Sequence, residues 1–355
     1  MKKMNKLIAL GLAAVMCLST GACGSSQTAS EGAATEEAVS SAESGETASA
    51  SETAETDGKT YTVGICQLVQ HEALDAATQG FKDVLTETFG DNVTFDEQNA
   101  AGDSATCATI ANTFASNGVD LILANATPAL QAASAATADI PILGTSITEY
   151  GVALGIDDFS GTTGTNVSGT SDLAPLDQQA EMFAELLPDA KTIGILYCSA
   201  EANSVYQADT VKEKLESDGY EVNVYTFADS NDVAQVTQKA CEENDALYIP
   251  TDNTAASCTE AINNVALPAK TPIIAGEEGI VAGCGIATLS ISYYELGRTT
   301  GEMAVKILKG ESKVEEMPIE YYENPVKKYN PSICEELGIT VPEGYEAIES
   351  GEEEE

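Results

Sequence analysis

The sequence predicts an α/β fold of two doubly wound parallel-sheet lobes, and three observations carry that expectation. Short apolar runs that read as buried parallel strands alternate with stretches of helical periodicity. The same runs come round twice, in the same order. The segment after each run is polar, as the carboxyl edge of an open parallel sheet is when it holds a ligand.

The strands pair off in turn. Thr62-Val63-Gly64-Ile65-Cys66 opens the folded region and returns as Thr192-Ile193-Gly194-Ile195-Leu196. Val119-Asp120-Leu121-Ile122-Leu123-Ala124 is answered by Asn244-Asp245-Ala246-Leu247-Tyr248-Ile249. Ile140-Pro141-Ile142-Leu143-Gly144 is answered by Thr271-Pro272-Ile273-Ile274-Ala275-Gly276. Alone, each is a commonplace strand; the shared order argues for two domains. Between them Leu74, Ala77, Phe81, Val84 and Leu85 share a helix face, as do Ile110 and Phe114 with Cys107 less regularly. The second half repeats the alternation with Val205, Val211 and Leu215 in one helical stretch and Val233, Val236 and Ala240 in another.

Ahead of these elements lie an address and a tether. Lys2, Lys3 and Lys6 precede an apolar run from Leu7 to Leu18, too short to span a bilayer comfortably. The following Leu18-Ser19-Thr20-Gly21-Ala22-Cys23-Gly24-Ser25-Ser26 resembles a bacterial lipoprotein signal, which implies lipidation of Cys23 after cleavage, although Thr20 stands where an aliphatic residue is usual. Cys17 is the weaker alternative, and an ordinary secretory signal the other reading. Residues 24–58 are mostly Ser, Thr, Ala, Gly and Glu; such a segment cannot bury enough apolar surface to offset its ordering entropy and is expected to be a disordered acidic tether. Gly351 and the four glutamates after it read as a solvated tail.

Composition excludes more than it identifies. The formal charge of −41, from 57 acidic and 16 basic residues, repels nucleic acid and suits a solvated surface. Nine cysteines contain no C-x-x-C pair or other zinc spacing, so no metal is expected. With Cys17 removed and Cys23 modified, an odd number remains; most read as small buried residues, with one disulfide open. There is no P-loop, Gly161-Thr162-Thr163-Gly164 reads as a turn, and Gly169-Thr170-Ser171-Asp172-Leu173 fails the hydrolase elbow at its last position. No cofactor and no enzyme activity are expected.

The chemistry gathers after the strands. In the first half these segments carry Gln67, Gln70, His71 and Glu72, then Asn125-Ala126-Thr127-Pro128, then Gly144-Thr145-Ser146. In the second they are Ser199-Ala200-Glu201-Ala202-Asn203-Ser204, Thr251-Asp252-Asn253-Thr254 and Gly276-Glu277-Glu278-Gly279. Helix N-termini can hold a carboxylate without a lysine or arginine, and Asp252, Glu277 and Glu278 could receive an ammonium. Such a cleft suits a zwitterion, while ordinary capping chemistry accounts for any one of these residues about as well. His71, the sole histidine, could contact ligand, cap a helix or stand exposed, and ligand contact is favoured.

From about Tyr61 to Tyr329 the chain resembles the ABC transporter substrate-binding family that includes the tryptophan- and tyrosine-type binding lipoproteins. The resemblance is carried by His71-Glu72-Ala73-Leu74-Asp75-Ala76-Ala77, Ala126-Thr127-Pro128-Ala129, Ser171-Asp172-Leu173-Ala174-Pro175, Ser199-Ala200-Glu201-Ala202-Asn203-Ser204, Pro250-Thr251-Asp252-Asn253-Thr254 and Ala275-Gly276-Glu277-Glu278-Gly279, with Tyr293-Tyr294-Glu295-Leu296-Gly297 and Lys306-Ile307-Leu308-Lys309-Gly310. It implies a type I periplasmic-binding fold: lobe one at 59–167 plus 290–325, lobe two at 172–287, a three-strand hinge, and a C-terminal extension at 326–355. It places His71, Thr127, Thr145, Ser146, Asp172, Leu173, Glu201, Asn203, Ser204, Asp252, Asn253, Thr254 and Glu277 at the ligand. Thr148-Glu149-Tyr150 replaces the family's more usual Thr-Asp-Pro type turn, which leaves the ligand open.

The expected function is capture of a small zwitterion, an amino acid with aromatic ones among the candidates, by a membrane-anchored monomer that serves an ABC permease. A sensory domain is the alternative binding reading, and an exported hydrolase using His71 the enzymatic one. A ligand-responsive DNA regulator shares the lobes but lacks a helix-turn-helix here.

Overall fold

A computed structural model describes residues 58–348. The expected signal, the expected anchor at Cys23, almost all of the expected tether and the terminal glutamates lie outside the described residues. The first lobe runs β1 (Tyr61–Gln67), α1 (Glu72–Phe89), β2 (Val93–Asn99), α2 (Ser104–Asn117), β3 (Leu121–Asn125), α3 (Thr127–Ala136), β4 (Ile142–Ile147), α4 (Tyr150–Leu154) and β5 (Val167–Ser171). The chain crosses to the second lobe with α5 (Leu176–Leu186), β6 (Thr192–Cys198), α6 (Ala202–Ser217), β7 (Glu221–Phe227), α7 (Val233–Glu243), β8 (Ala246–Ile249), α8 (Asn253–Ala256), α9 (Thr259–Ala269), β9 (Ile273–Ala275), α10 (Glu278–Cys284) and β10 (Ala287–Ser290). It returns for α11 (Tyr293–Leu308) and β11 (Glu320–Tyr321), then crosses again to β12 (Val326–Tyr329), α12 (Pro331–Leu337) and β13 (Glu346–Ala347).

The first sheet has the order β11-β5-β4-β3-β1-β2 and is parallel throughout. The second has the order β13-β12-β10-β9-β8-β6-β7, with only the β10–β12 pair antiparallel. The central runs are apolar on both faces because helices cover both faces, and β3 and β8 are buried along their whole length. Strand order reverses between β1 and β3, and again between β6 and β8. These are the switch points where an open α/β sheet leaves a crevice at its carboxyl edge.

Three connections join the lobes: residues 172–175, 291–292 and 322–325. The second boundary differs from the expected one, because β10 lies wholly in the second sheet and Ser290 with it. Residues 326–348 form no separate extension either. β12 pairs with β10, β13 pairs with β12, and Tyr345 and Lys327 both bond Glu185 of α5. Val326 supplies the ladder partner of Ser290, so burial of the β10 edge recruits the segment.

Glycines set the close approach of α1 and α11. On α11, a Cβ at Gly297 would lie 2.0 Å from the Ala77 carbonyl oxygen of α1, so only hydrogen allows this approach. The seven described cysteines are free thiols, five of them buried, and no disulfide joins the elements. Among the described residues no helix is long and apolar enough to cross a membrane.

Candidate functional site

The first lobe's contribution begins at the ends of β3 and β4, whose register sets Asn125 beside Thr145. Asn125 is fully buried; its amide nitrogen donates to Leu74 O at 2.8 Å and Thr78 Oγ1 at 2.9 Å, while its Oδ1 has no partner. Thr127 and Pro128 then open α3, leaving that helix's free N–H groups at the same edge. Next to them the β4–β5 register slips between Gly144 and Ile147, and Ser146 adopts φ 57. A non-glycine residue held in the left-handed region is strained, and the Ser146 hydroxyl it positions is buried without a hydrogen bond.

Asp172 sits in the first interlobe connection, one residue past β5, and is 5% exposed. Tyr293 Oη, at the start of α11, donates to its Oδ2 at 3.0 Å, and Oδ1 is left without a hydrogen bond. Burial pushes the carboxyl up to about 6; the Tyr293 and Thr148 hydroxyls oppose this but do not cancel it.

The second lobe faces this set with α6. The Asn203 Nδ2 donates to Thr251 O at 3.0 Å, and its Oδ1 is orphaned. Gln207, one turn on, takes the Thr251 N–H at 3.1 Å and reaches Thr148 Oγ1 of the first lobe at 3.5 Å. Thr148 therefore links the neighbourhood of Asp172 to that of Asn203. Among the described residues six buried side-chain atoms lack a partner, and four of them, on Asn125, Ser146, Asp172 and Asn203, lie at or beyond the carboxyl ends of β3, β4, β5 and β6. Buried polar atoms are otherwise almost always paired, so such a cluster marks a place built for another molecule.

Several expected ligand contacts are committed elsewhere. Asp252 caps α8: its carboxylate accepts from Cys198 N at 2.7 Å and Ala255 N at 2.8 Å, and Ser204 bonds it too. Burial, and then the charge of Glu201, push its carboxyl up to about 8. Glu277 caps α10 through Gly279 N and Ile280 N, both at 2.6 Å, and burial raises it to about 7. Glu278 pairs with Lys328 Nζ at 2.8 Å. None of the three is a free receiver of an ammonium. Glu201 ties down the start of α8, accepting from both nitrogens of Asn253 and from the N–H and hydroxyl of Thr254. Leu173 is half-buried and packs against the second lobe's core. Thr145 is buried and receives the Thr170 hydroxyl at 3.4 Å.

His71 stands at the N-cap of α1 but makes no side-chain capping hydrogen bond there. Its Nε2 lies 3.2 Å from Asn253 Oδ1, across the lobe boundary. Two cavities flank this bridge. One of about 380 Å³ on the hinge side is lined by residues including Ala73, Ile291, Tyr293 and Tyr322, and one of about 300 Å³ by Val69, Pro128, Glu201 and Thr254 among others. Sequence reasoning missed Gln207 and Tyr293 as site residues. The signal for Gln207 was its i+4 spacing from Asn203, which stacks both on one face of α6.

Comparison with known proteins now bears on this cleft. Residues 62–348 match the family described as ABC transporter substrate binding protein. A tyrosine-binding protein of Clostridioides difficile (strain R20291) is 40% identical over 269 residues, spanning 75% of this chain and 77% of the relative. A solved domain from Streptococcus pneumonia in complex with L-Trp is 34% identical, with TM-score 0.78 over 82% of this chain and 100% of that one. The ligand-free, open structure of a substrate-binding protein from Clostridium difficile is 40% identical over the same shares but superposes at 0.62. The chain thus superposes better on the ligand-bound relative than on the open one, against the trend in identity. A myo-inositol-bound solute-binding protein of Bacillus halodurans, 19% identical at TM-score 0.56, shares the fold.

Proposed function

The chain belongs to the ABC transporter substrate-binding protein family, and we propose that it captures an aromatic α-amino acid between its lobes and hands it to a permease. The family binds small-molecule solutes outside the cytoplasm, works with ABC permeases and is not an enzyme class. The observation that carries the amino-acid reading is the buried Asp172 carboxylate with one oxygen unbonded. An α-ammonium supplies both the missing donor and the charge that offsets the desolvation of Asp172. The Ser146 hydroxyl and the N-terminus of α3 suit the α-carboxylate. The aromatic side chain is assigned to the hinge-side cavity with Ala73, Ile291, Tyr293 and Tyr322. The tyrosine-binding relative and the L-Trp complex support that class of ligand. We place the mature protein as a monomer on a lipid anchor at Cys23, with residues 24–58 as its tether.

Thermal-shift comparison of L-tyrosine and L-tryptophan with tyramine and 3-(4-hydroxyphenyl)propionate tests the reading, because a ligand of the native state raises apparent stability. The amino acids are expected to shift the melting curve and both truncated analogues to fail. A shift with a sugar, or an equal shift with tyramine, contradicts it.

A further inference from the structure

The bond between His71 and Asn253 has a built-in polarity. The His71 carbonyl receives Asp75 N at 3.0 Å and so starts α1 through the backbone, which frees the imidazole to cross the cleft. Opposite it, Glu201 Oε2 accepts from Asn253 N at 3.1 Å and from Asn253 Nδ2 at 2.6 Å. A carboxylate only accepts, so the amide nitrogen must face Glu201 and the amide oxygen must face His71. An amide oxygen also only accepts, so His71 Nε2 must carry the hydrogen. One buried carboxylate thereby fixes both the amide orientation and the ring hydrogen of a contact between lobes. Gln207 to Thr148, a second interlobe bond of this cleft, is longer at 3.5 Å and neither side chain titrates.

We propose that His71–Asn253 is the latch of the closed cleft, that Glu201 is its positioning residue, and that protonation of His71 favours release. The inference rests on the reading of this cleft as the solute site. Burial is the largest influence on the closed ring and lowers its proton affinity; the hydrogen bond to Asn253 and the charges of Glu201 and Asp75 act the other way and are weaker. Glu201 faces the ring from the second lobe and Asp75 from α1. When the lobes part the ring regains water and its usual affinity. The proton therefore binds the open form in preference, and the latch is intact above the usual imidazole range and weakens as pH falls through it.

Because His71 is the only histidine, its imidazole can be read alone in ¹H–¹⁵N spectra of the full chain, without ligand and with saturating L-tyrosine. The expected result is a protected Nε2–H signal and a titration midpoint below that of Asn253→Ala, moving lower still with L-tyrosine. A midpoint at or above the Asn253→Ala value overturns the latch. His71→Gln, which keeps a donor but does not titrate, is a second test that leaves the Glu201 contacts in place. Between pH 7.5 and 5.5 wild type should lose L-tyrosine affinity by up to about tenfold more than His71→Gln, the ceiling for an imidazole that titrates near 6.5 when open. Asp172 titrates in both and cancels. Equal losses overturn the proposal. A midpoint that responds to Asn253→Ala but to neither L-tyrosine nor L-tryptophan supports the latch and removes the amino-acid reading instead.

Discussion

Single residues decide what this cleft can hold, and the decisive ones are those with an atom left over. Asp172, Asp252 and Glu277 are all buried carboxyls, yet the Asp252 and Glu277 carboxylates are engaged by backbone N–H groups and only Asp172 has an oxygen free. Replacement of Asp252 by alanine should therefore act on stability: it strands the buried N–H groups of Cys198 and Ala255, at a cost of about 2–3 kcal/mol in denaturant unfolding. A loss under about 0.5 kcal/mol contradicts the capping role. Polar residues in the cleft loops were legible in the sequence as a group, but their division into caps and ligand receivers was not. Asp, Glu, Asn and Ser serve both purposes with the same atoms, and only the three-dimensional pairing tells which atom is unused. Asp172 itself was reached through resemblance to a family rather than through spacing. Ser146 matters because a β4 irregularity turns it inward, and nothing in Gly144-Thr145-Ser146 announces that irregularity.

At the scale of elements, legibility followed burial. β1, β3, β4, β6, β8 and β9 stand out because helices on both faces demand apolar side chains throughout. β2 escaped notice because it is an edge strand whose Asp96, Glu97 and Gln98 face water, and β7 for the same reason. β5 and β10 escaped because they are short and carry Ser, Thr and Gly into the interlobe connections, where side chains serve hydrogen bonding as well as packing. The repeat of strand order in the two sheets was legible from the order of apolar runs. The return of residues 326–348 to the second sheet was not, since Lys327 and Lys328 are poor advertisements for a strand that covers β10. The α1–α11 pair is the element contact most sensitive to a single methyl group. Gly297→Ala drives a Cβ into the Ala77 carbonyl and must push the helices apart, at an expected cost of about 2–4 kcal/mol. Chemical denaturation measures it, and wild-type stability in that variant would refute the close approach.

For the whole molecule, closure and charge are the governing quantities. Burial keeps three carboxyls above their ordinary range, Asp172 at about 6, Glu277 at about 7 and Asp252 at about 8. Unfolded, they titrate near 3.8 for aspartate and 4.5 for glutamate, so between about pH 4 and 8 these three groups bind more protons in the folded chain than in the unfolded one. Stability contributed by these groups is present in acid and is lost as pH rises through that window. The net charge of −41 acts in the same direction, since self-repulsion grows with ionisation. The melting temperature of the ligand-free chain is expected to fall from pH 5 to pH 8, and less steeply in Asp172→Asn; a rise over that interval would contradict the burial of these carboxyls. Affinity should run the opposite way, because the proposed mode of capture needs Asp172 ionised and His71 neutral. The most direct measurement of the central claim is calorimetric titration of L-tyrosine into wild type and Asp172→Asn at pH 7.5. Heat of binding is expected in the wild type and affinity weaker by about 10- to 100-fold in the variant, the loss of one charge-assisted contact. Equal affinity in the two proteins would remove Asp172 from the ammonium site and with it the proposed mode of recognition.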